Sequence, residues 1–197
     1  GRTIEDKDGN LWIGTEGGGL NYYNRRTREF KWYRPQEGRN SISHNNVKAL
    51  YYDADKEIIW IGTHLGGLNK LDIRSGHFTH YRMEEGNPAT LPSDIIRDII
   101  PYKSLLIVAT QNGVCLFNPA NGQCQQLFKD SKEGKSIKMI ADVTFDSEGT
   151  LWIAATGEGV FSYRFDTRKL TNYRHDATNP NSLSNNNVNN ITQDSKG

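Results

Sequence analysis

The stretch LWIGTEGGGLNYYN, residues 11–24, recurs along the chain and decides how the rest is interpreted. Three more copies follow, namely IWIGTHLGGLNKLD at 59–72, the weaker LIVATQNGVCLFN at 106–118 and LWIAATGEGVFSYR at 151–164. Successive copies are 48, 47 and 45 residues apart, counted between Trp12, Trp60, Ile107 and Trp152. Self-similarity at a fixed period of this length indicates a repeat architecture.

Each copy predicts four short β-strands. The first resembles Val47 to Tyr52, the second is the Trp-Ile-Gly run, the third follows the glycines, and the fourth ends like Phe30 to Tyr33. The runs are short, rich in β-branched and aromatic residues and bounded by turn residues. Four strands per unit of this period is typical of a β-propeller blade. The sequence therefore predicts an all-β propeller of about four blades over 1–197, without a second domain and with repeat cores at 11–33, 59–81, 106–127 and 151–173.

The two ends of the chain duplicate the same strand. Arg2 to Asp6 is interpreted as the tail of a first strand, and Val188 to Asp194 as another first strand. A closed propeller commonly shares one blade between its termini. The duplication therefore favours a slice of a larger propeller over a closed ring of four blades.

Charge and composition exclude several classes of partner. Lys and Arg total 24 against 23 Asp and Glu, so the net charge of +1 gives no electrostatic footprint for nucleic acid or an anionic membrane. No apolar run approaches the length of about 20 residues that spans a bilayer, so no membrane insertion of this segment is expected. Cys115 and Cys124 are diagonal neighbours if Asn118 faces Gln123, which favours buried free thiols over a disulfide.

The motifs that suggest chemistry fail when their spacing is checked. Counted from Asp6, the acidic turn has Leu11 and Gly17 where a calcium loop requires glycine and glutamate. Gly134-Lys135-Ser136 lacks the upstream glycine of a phosphate-binding loop, because Lys129 stands there. The glycine cluster 17–19 precedes a strand, and the five histidines lack zinc-site spacing. We expect no catalytic residue, metal or cofactor, although carboxylates assembled in space remain an alternative.

Four in-phase copies also resemble a known family. Asp146 to Ile153 and Asn181 to Val188, together with Trp60 to Thr63 and Gly66 to Asn69, resemble the two-component regulator propeller repeat, and only the third copy departs, with Ile107 in the tryptophan position. The resemblance implies the periplasmic sensor region of a bacterial hybrid two-component receptor, many of which respond to breakdown products of polysaccharides. The kinase of such a receptor would lie outside this chain, which is expected not to be an enzyme.

Differences between the copies point to candidate ligand-binding residues. Residues that return in every copy serve the blade, whereas residues that change at an equivalent exposed position are free to contact a ligand. The changing residues are Glu16, His64, Gln111 and Thr156 in the short links, Lys48, Arg97 and Asn189 near the starts of first strands, and Arg39 and His44 in a connecting segment. The alternative is that they are solvated loop residues.

Three functional hypotheses follow. The first is an oligosaccharide-sensing segment of a receptor that forms a homodimer in the periplasm. The second is a propeller scaffold for dimerisation or other protein contacts, without a ligand of its own. The third is a carbohydrate-active lyase or hydrolase with dispersed carboxylates.

Overall fold

A computed structural model describes residues 2–194, and it consists of four antiparallel sheets of four strands each. Blade 1 contains β1 (Thr3–Glu5), β2 (Leu11–Gly14), β3 (Leu20–Asn24) and β4 (Glu29–Tyr33). Blade 2 contains β5 (Val47–Asp53), β6 (Ile58–Thr63), β7 (Leu68–Asp72) and β8 (Phe78–Tyr81). Blade 3 contains β9 (Ile96–Tyr102), β10 (Leu105–Thr110), β11 (Gly113–Phe117) and β12 (Cys124–Gln126). Blade 4 contains β13 (Ile140–Phe145), β14 (Leu151–Ala155), β15 (Gly159–Arg164) and β16 (Lys169–Tyr173).

Within every blade the strands pair in chain order, so each sheet is a simple meander. This confirms the all-β propeller fold with four-stranded antiparallel blades. The only helix among the described residues is a single 3-10 turn at Gly134–Ser136, in the least faithful copy of the repeat.

The repeated tryptophan packs inside its blade and against the next one. Trp60 is buried, lies 6.0 Å from the Tyr81 ring and 5.3 Å from the Phe117 ring of blade 3. Trp12 is buried in the same way and stacks on Tyr33 at 5.7 Å. Burying these large rings at the boundaries of blades 1, 2 and 3 removes apolar area from water that a single blade would leave exposed. The tryptophan therefore serves the scaffold, as its recurrence predicted.

In blades 1, 2 and 4 the glycine at the link between second and third strands is required by the backbone. Gly19, Gly67 and Gly159 have φ angles of +79, +70 and +82°. A Cβ atom at these glycines would lie 2.2 to 2.3 Å from the carbonyl oxygen of the tyrosine that ends the fourth strand. Positive φ and this close approach both exclude a side chain. The glycine cluster is thus a structural link, as predicted.

Connecting segments, here called straps, join the fourth strand of one blade to the first strand of the next. They are strap 1 (34–46), strap 2 (82–95), strap 3 (127–139) and strap 4 (174–187). The link glycines donate backbone hydrogen bonds to strap carbonyls, from Gly19 to Asn45 at 2.7 Å and from Gly67 to Asp94 at 2.9 Å. Links and straps therefore meet at one end of the strands.

The expected first strand at Val188 to Asp194 does not form. These residues belong to no ladder of the described chain. They lie instead beside blade 4, where the Ile191 amide donates to Asp142 Oδ2 at 2.9 Å. The prediction of a strand here from the local sequence pattern is therefore wrong.

The two cysteines occupy the register that the sequence predicted. Cys115 pairs with Gln126 and Phe117 with Cys124, which makes the cysteines diagonal neighbours on β11 and β12. Both thiols are free and buried, with their Sγ atoms 3.1 Å apart. Burial, followed by the contact with Cys124, raises the pKa of the Cys115 thiol well above its usual value.

Candidate functional site

The candidate site begins at an irregularity shared by the first strands of three blades. The register shifts between Val47 and Ala49 in β5, and the corresponding shifts in β9 and β13 leave one unpaired extra residue on each first strand. These extra residues are Lys48, Arg97 and Ala141. Such bulges commonly redirect a side chain beside a functional site.

Each bulge residue sits next to the link of the preceding blade. The junction of strap 1 and β5 is held between two links, because Val47 donates its amide hydrogen to Thr15 and His64 donates to the carbonyl of Asn46, at 3.0 and 2.9 Å. As a result Lys48 forms an ion pair with Glu16 across the boundary of blades 1 and 2. The pKa of Glu16 lies below its usual value, chiefly because Lys48 donates a hydrogen bond to it.

The same two positions at the next boundary carry a different chemistry. His64 takes the position of Glu16 and Arg97 takes that of Lys48, so a base faces a guanidinium in place of an ion pair. Burial lowers the pKa of His64, and the charges of Arg97 and Lys48 lower it further. The His44 ring lies 6.5 Å from the His64 ring, and its Nδ1 atom accepts a hydrogen bond from the Asn46 amide at 3.0 Å.

Several polar atoms at this boundary lack partners. Asn46 Oδ1, His64 Nδ1 and Arg97 Nε are each buried without a hydrogen bond to the described protein. A buried polar atom without a partner costs about 1 to 3 kcal/mol, and native proteins leave few of them. Three such atoms around one link therefore indicate a site where a ligand could form hydrogen bonds with the chain.

The structure therefore brings together five of the predicted site residues. They are Glu16, His44, Lys48, His64 and Arg97, at the boundaries of blades 1, 2 and 3. We call this group the link cluster. Basic groups outnumber the single carboxylate, so the cluster suits ligand oxygens that accept hydrogen bonds.

The remaining predicted residues lie elsewhere. Gln111 occupies the next equivalent link position, where its amide donates to Ile95 at 2.9 Å and the facing bulge residue is Ala141. Asn189 is exposed beside blade 4, beyond the ladders. Arg39 is exposed in a turn of strap 1 and contacts Gln36 at 3.4 Å.

Sequence reasoning missed a buried charged group deeper along the first strands. The Arg2 guanidinium contacts Asp98 at 2.7 Å and Asp142 at 3.2 Å, although these residues are 96 and 140 positions away. Both carboxylates are buried, with 1% and 5% of their surface exposed. Asn190 adds a hydrogen bond to Asp142 Oδ2 at 3.0 Å. A comparison of the copies could have revealed this group, since blades 3 and 4 carry aspartates at the position where blade 2 carries Ala49.

Burial also shifts the pKa of one carboxyl group here, that of Asp98. It raises the pKa of Asp98 to about 6, against the opposing effect of Arg2, which favours the charged carboxylate. The Arg2 contacts with both aspartates join the start of blade 1 to the first strands of blades 3 and 4.

Comparison with known proteins agrees with this architecture. Two segments, residues 2–17 and 41–64, match the family model described as two component regulator propeller. These two segments are thus similar to the two component regulator propeller repeat. Both matched segments contain the recurring Trp-Ile-Gly-Thr run, at residues 12–15 and 60–63.

Solved structures with the same fold include extracellular domains from B. thetaiotaomicron. One, assigned to the hybrid two component system BT3049, has a TM-score of 0.72 at 23% identity and covers 98% of this chain and 30% of its own. Two structures of the BT4673 extracellular domain, assigned once to a one component and once to a hybrid two component system, have TM-scores of 0.71 and 0.66 at 25% and 26% identity. They cover 89% and 86% of this chain, but 24% and 23% of theirs.

The chain thus spans less than a third of the length of these neighbours. No curated protein sequence matches the chain. Residues 2–194 include no helix long and apolar enough to cross a membrane.

Proposed function

We propose that the chain is a ligand-sensing propeller segment in the periplasmic ectodomain of a two-component receptor, and that its link cluster binds an oligosaccharide. The observation that carries this proposal is the pair of positions that repeats in geometry while changing in chemistry, from Glu16 with Lys48 to His64 with Arg97. If these residues only held neighbouring blades together, the same pair of residue types would serve at both boundaries. A ligand with several different hydroxyl groups is recognised better by different partners.

The unpartnered atoms explain how such a ligand would bind. Asn46 Oδ1 can accept a hydrogen bond, His64 Nδ1 can accept one when it is unprotonated, and Arg97 Nε can donate one. Sugar hydroxyl groups both donate and accept, so one ring can satisfy both kinds of partner. Satisfying atoms that are already desolvated is favourable, because their loss of water has occurred on folding.

Signalling would follow from differential binding. A ligand that contacts residues of two blades, or of two subunits of the proposed homodimer, stabilises one arrangement of those parts over another. The transmembrane and kinase parts of the receptor would then read this population shift. This step rests on the likeness to receptor ectodomains and on the general rule that a ligand shifts an equilibrium by its difference in affinity.

The test is calorimetric titration of the ectodomain that contains this chain with a panel of oligosaccharides. We expect one sugar to bind, and Arg97→Ala or His64→Ala to weaken its binding by about tenfold or more. Arg26→Ala is the matched control, since Arg26 lies in the β3–β4 turn at the opposite end of the strands. Binding that is unchanged by both link-cluster variants would contradict the proposed site, and no binding to any sugar would contradict the sensing function.

A protein-contact function is favoured by one other surface. Phe30 and Trp32 on β4 are 58% and 63% exposed, and Arg34 lies over the Trp32 ring at 5.1 Å. Aromatic side chains with an adjacent arginine are typical of protein interfaces. Light scattering on the same ectodomain and on its Trp32→Ala variant tests this alternative, since loss of a dimer in the variant would support it and an unchanged mass would contradict it.

A further inference from the structure

Strap 3 is the place where the chain departs most from its own repeat. It carries four lysines against two acidic residues, whereas strap 2 carries one arginine against three acidic residues. It also forms the 3-10 turn Gly134–Ser136, which the other straps lack among the described residues. The other blades form without these lysines and this turn. The fold of a blade therefore does not require them, and they are free to serve another purpose in strap 3.

The departure creates a pocket of about 290 Å³ between strap 3 and β11. Its apolar lining comes from Val114, Leu127 and Ile137, which belong to the core of blades 3 and 4. The amide side chains of Asn112 and Gln126 line it as well. This volume lies at the small end of ligand sites and has room for a single ring.

Three lysines complete the lining of this pocket, Lys129, Lys135 and Lys138. None of the residues that line the pocket is a carboxylate, although strap 3 carries Asp130 and Glu133 outside the lining. Within residues 2–194 none of the three ammonium groups has an ion pair or a hydrogen-bond partner. In contrast, Lys48 and Lys56 each pair with a carboxylate. Three unpaired positive charges around one small pocket attract an anion and disfavour a cation.

The pocket wall is held by the backbone, so the site is formed before a ligand arrives. Gly134 donates to Ser131 Oγ at 2.8 Å, and Ile137 donates to the Gly134 carbonyl at 3.0 Å. A Cβ atom on Gly134 would lie 2.1 Å from the Phe128 carbonyl oxygen, which makes glycine necessary at this turn. Phe128 in turn packs on Tyr163 of blade 4 at 4.7 Å.

We propose that this pocket is a second binding site, specific for an acidic monosaccharide unit such as a uronate. The lysine ammonium groups would pair with the carboxylate, the amides of Asn112 and Gln126 would bond ring hydroxyls, and the apolar face of the sugar would cover Val114 and Leu127. The site is separate from the link cluster, and its ligand is distinguished by charge.

The test is an NMR titration of the chain with sodium D-galacturonate and, in parallel, with D-galactose, which lacks the carboxylate. We expect the acid to bind at least about tenfold more tightly, with shifts at Val114, Leu127 and Ile137 and with weaker binding at high salt. Equal affinity for the two sugars, or shifts confined to the link cluster, would overturn the proposal.

Variants identify the lysines responsible. The double variant Lys135→Ala/Lys138→Ala should lose at least about tenfold in affinity for galacturonate while its melting temperature stays unchanged. Lys169→Ala on β16 is the control, since it removes an exposed lysine away from the pocket and should change affinity by less than about twofold. Arg97→Ala separates this site from the proposed sensing function, because it should weaken binding at the link cluster only. Loss of galacturonate binding in either control variant would overturn the assignment.

Discussion

Blades 1 and 2 share one sequence pattern, yet their outer strands lie in different surroundings. Phe78 on β8 is 4% exposed, whereas Phe30 at the equivalent position of β4 is 58% exposed. The difference comes from strap 1. Asn40 of that strap accepts a hydrogen bond from the Phe78 amide at 2.6 Å and donates one to the Phe78 carbonyl at 2.7 Å. Strap 1 thereby covers β8.

The same arrangement occurs at the next boundary, where Cys124 on β12 donates its amide hydrogen to Ala89 of strap 2 at 2.7 Å. The described residues include no strap against β4. A blade of this repeat is therefore completed by the strap of the blade before it. Burial of an outer strand depends on that neighbouring segment and not on the sequence of the strand itself.

The largest expected effect is at the two phenylalanines. Phe78→Ala should destabilise the fold by about 3 to 5 kcal/mol, because it leaves a cavity beneath strap 1. Phe30→Ala should cost less than about 1 kcal/mol, since its ring is 58% exposed and packs on the Tyr23 ring at 4.7 Å near the surface. Urea denaturation of both variants measures the difference. Equal losses would show that β4 is covered in solution.

The contrast between the two outer strands also shows what sequence could predict. The ladders, the link glycines and the buried tryptophans recur in phase, so local pattern was sufficient for them. Phe30 and Phe78 are the same residue type in the same pattern, and only the strap distinguishes them. Strand formation at 188–194 failed for a related reason, because it requires a partner strand and not only a suitable local sequence.

The site was predictable in part. Comparison of the copies identified Glu16, His64, Lys48 and Arg97, because the link returns in every blade and the bulge returns in blades 2, 3 and 4. The Arg2 contacts with Asp98 and Asp142 join residues 96 and 140 positions apart, and no local spacing encodes them. The strap 3 pocket depends on a 3-10 turn held by the hydrogen bond between Gly134 and Ser131. In the sequence this turn was recognisable only as an incomplete phosphate-binding motif.

The second effect concerns the position where blade 2 has Ala49 and blade 3 has Asp98. The pKa of Asp98 is raised to about 6 from 3.8, so the folded state holds more protons than the unfolded state between these values. The stability from this group is therefore complete below about pH 4 and is lost as the pH rises through 6. Relative to Asp98→Asn, the wild-type chain should lose up to about 3 kcal/mol of stability between pH 4 and 7.

Denaturation of both proteins at several pH values checks this prediction. Asp55→Asn, in the exposed turn after β5, controls for the general effect of removing a carboxylate. A stability difference between wild type and Asp98→Asn that is independent of pH would contradict the raised pKa. Because blade 2 carries alanine at the same position, the result also shows whether a buried carboxylate makes blade 3 the pH-sensitive unit.

The smallest effect is at the straps themselves. Asn40→Ala should cost about 1 to 2 kcal/mol, because the amide and carbonyl of Phe78 lose partners that are partly shielded from water. Asn181 occupies the same place in strap 4, within NSLS as against NSIS, but is exposed and covers no strand of the described chain. Asn181→Ala should therefore change stability by less than about 0.5 kcal/mol. If both variants lose the same amount, the asparagine acts within its own turn, and the covering of one blade by the strap of another does not depend on it.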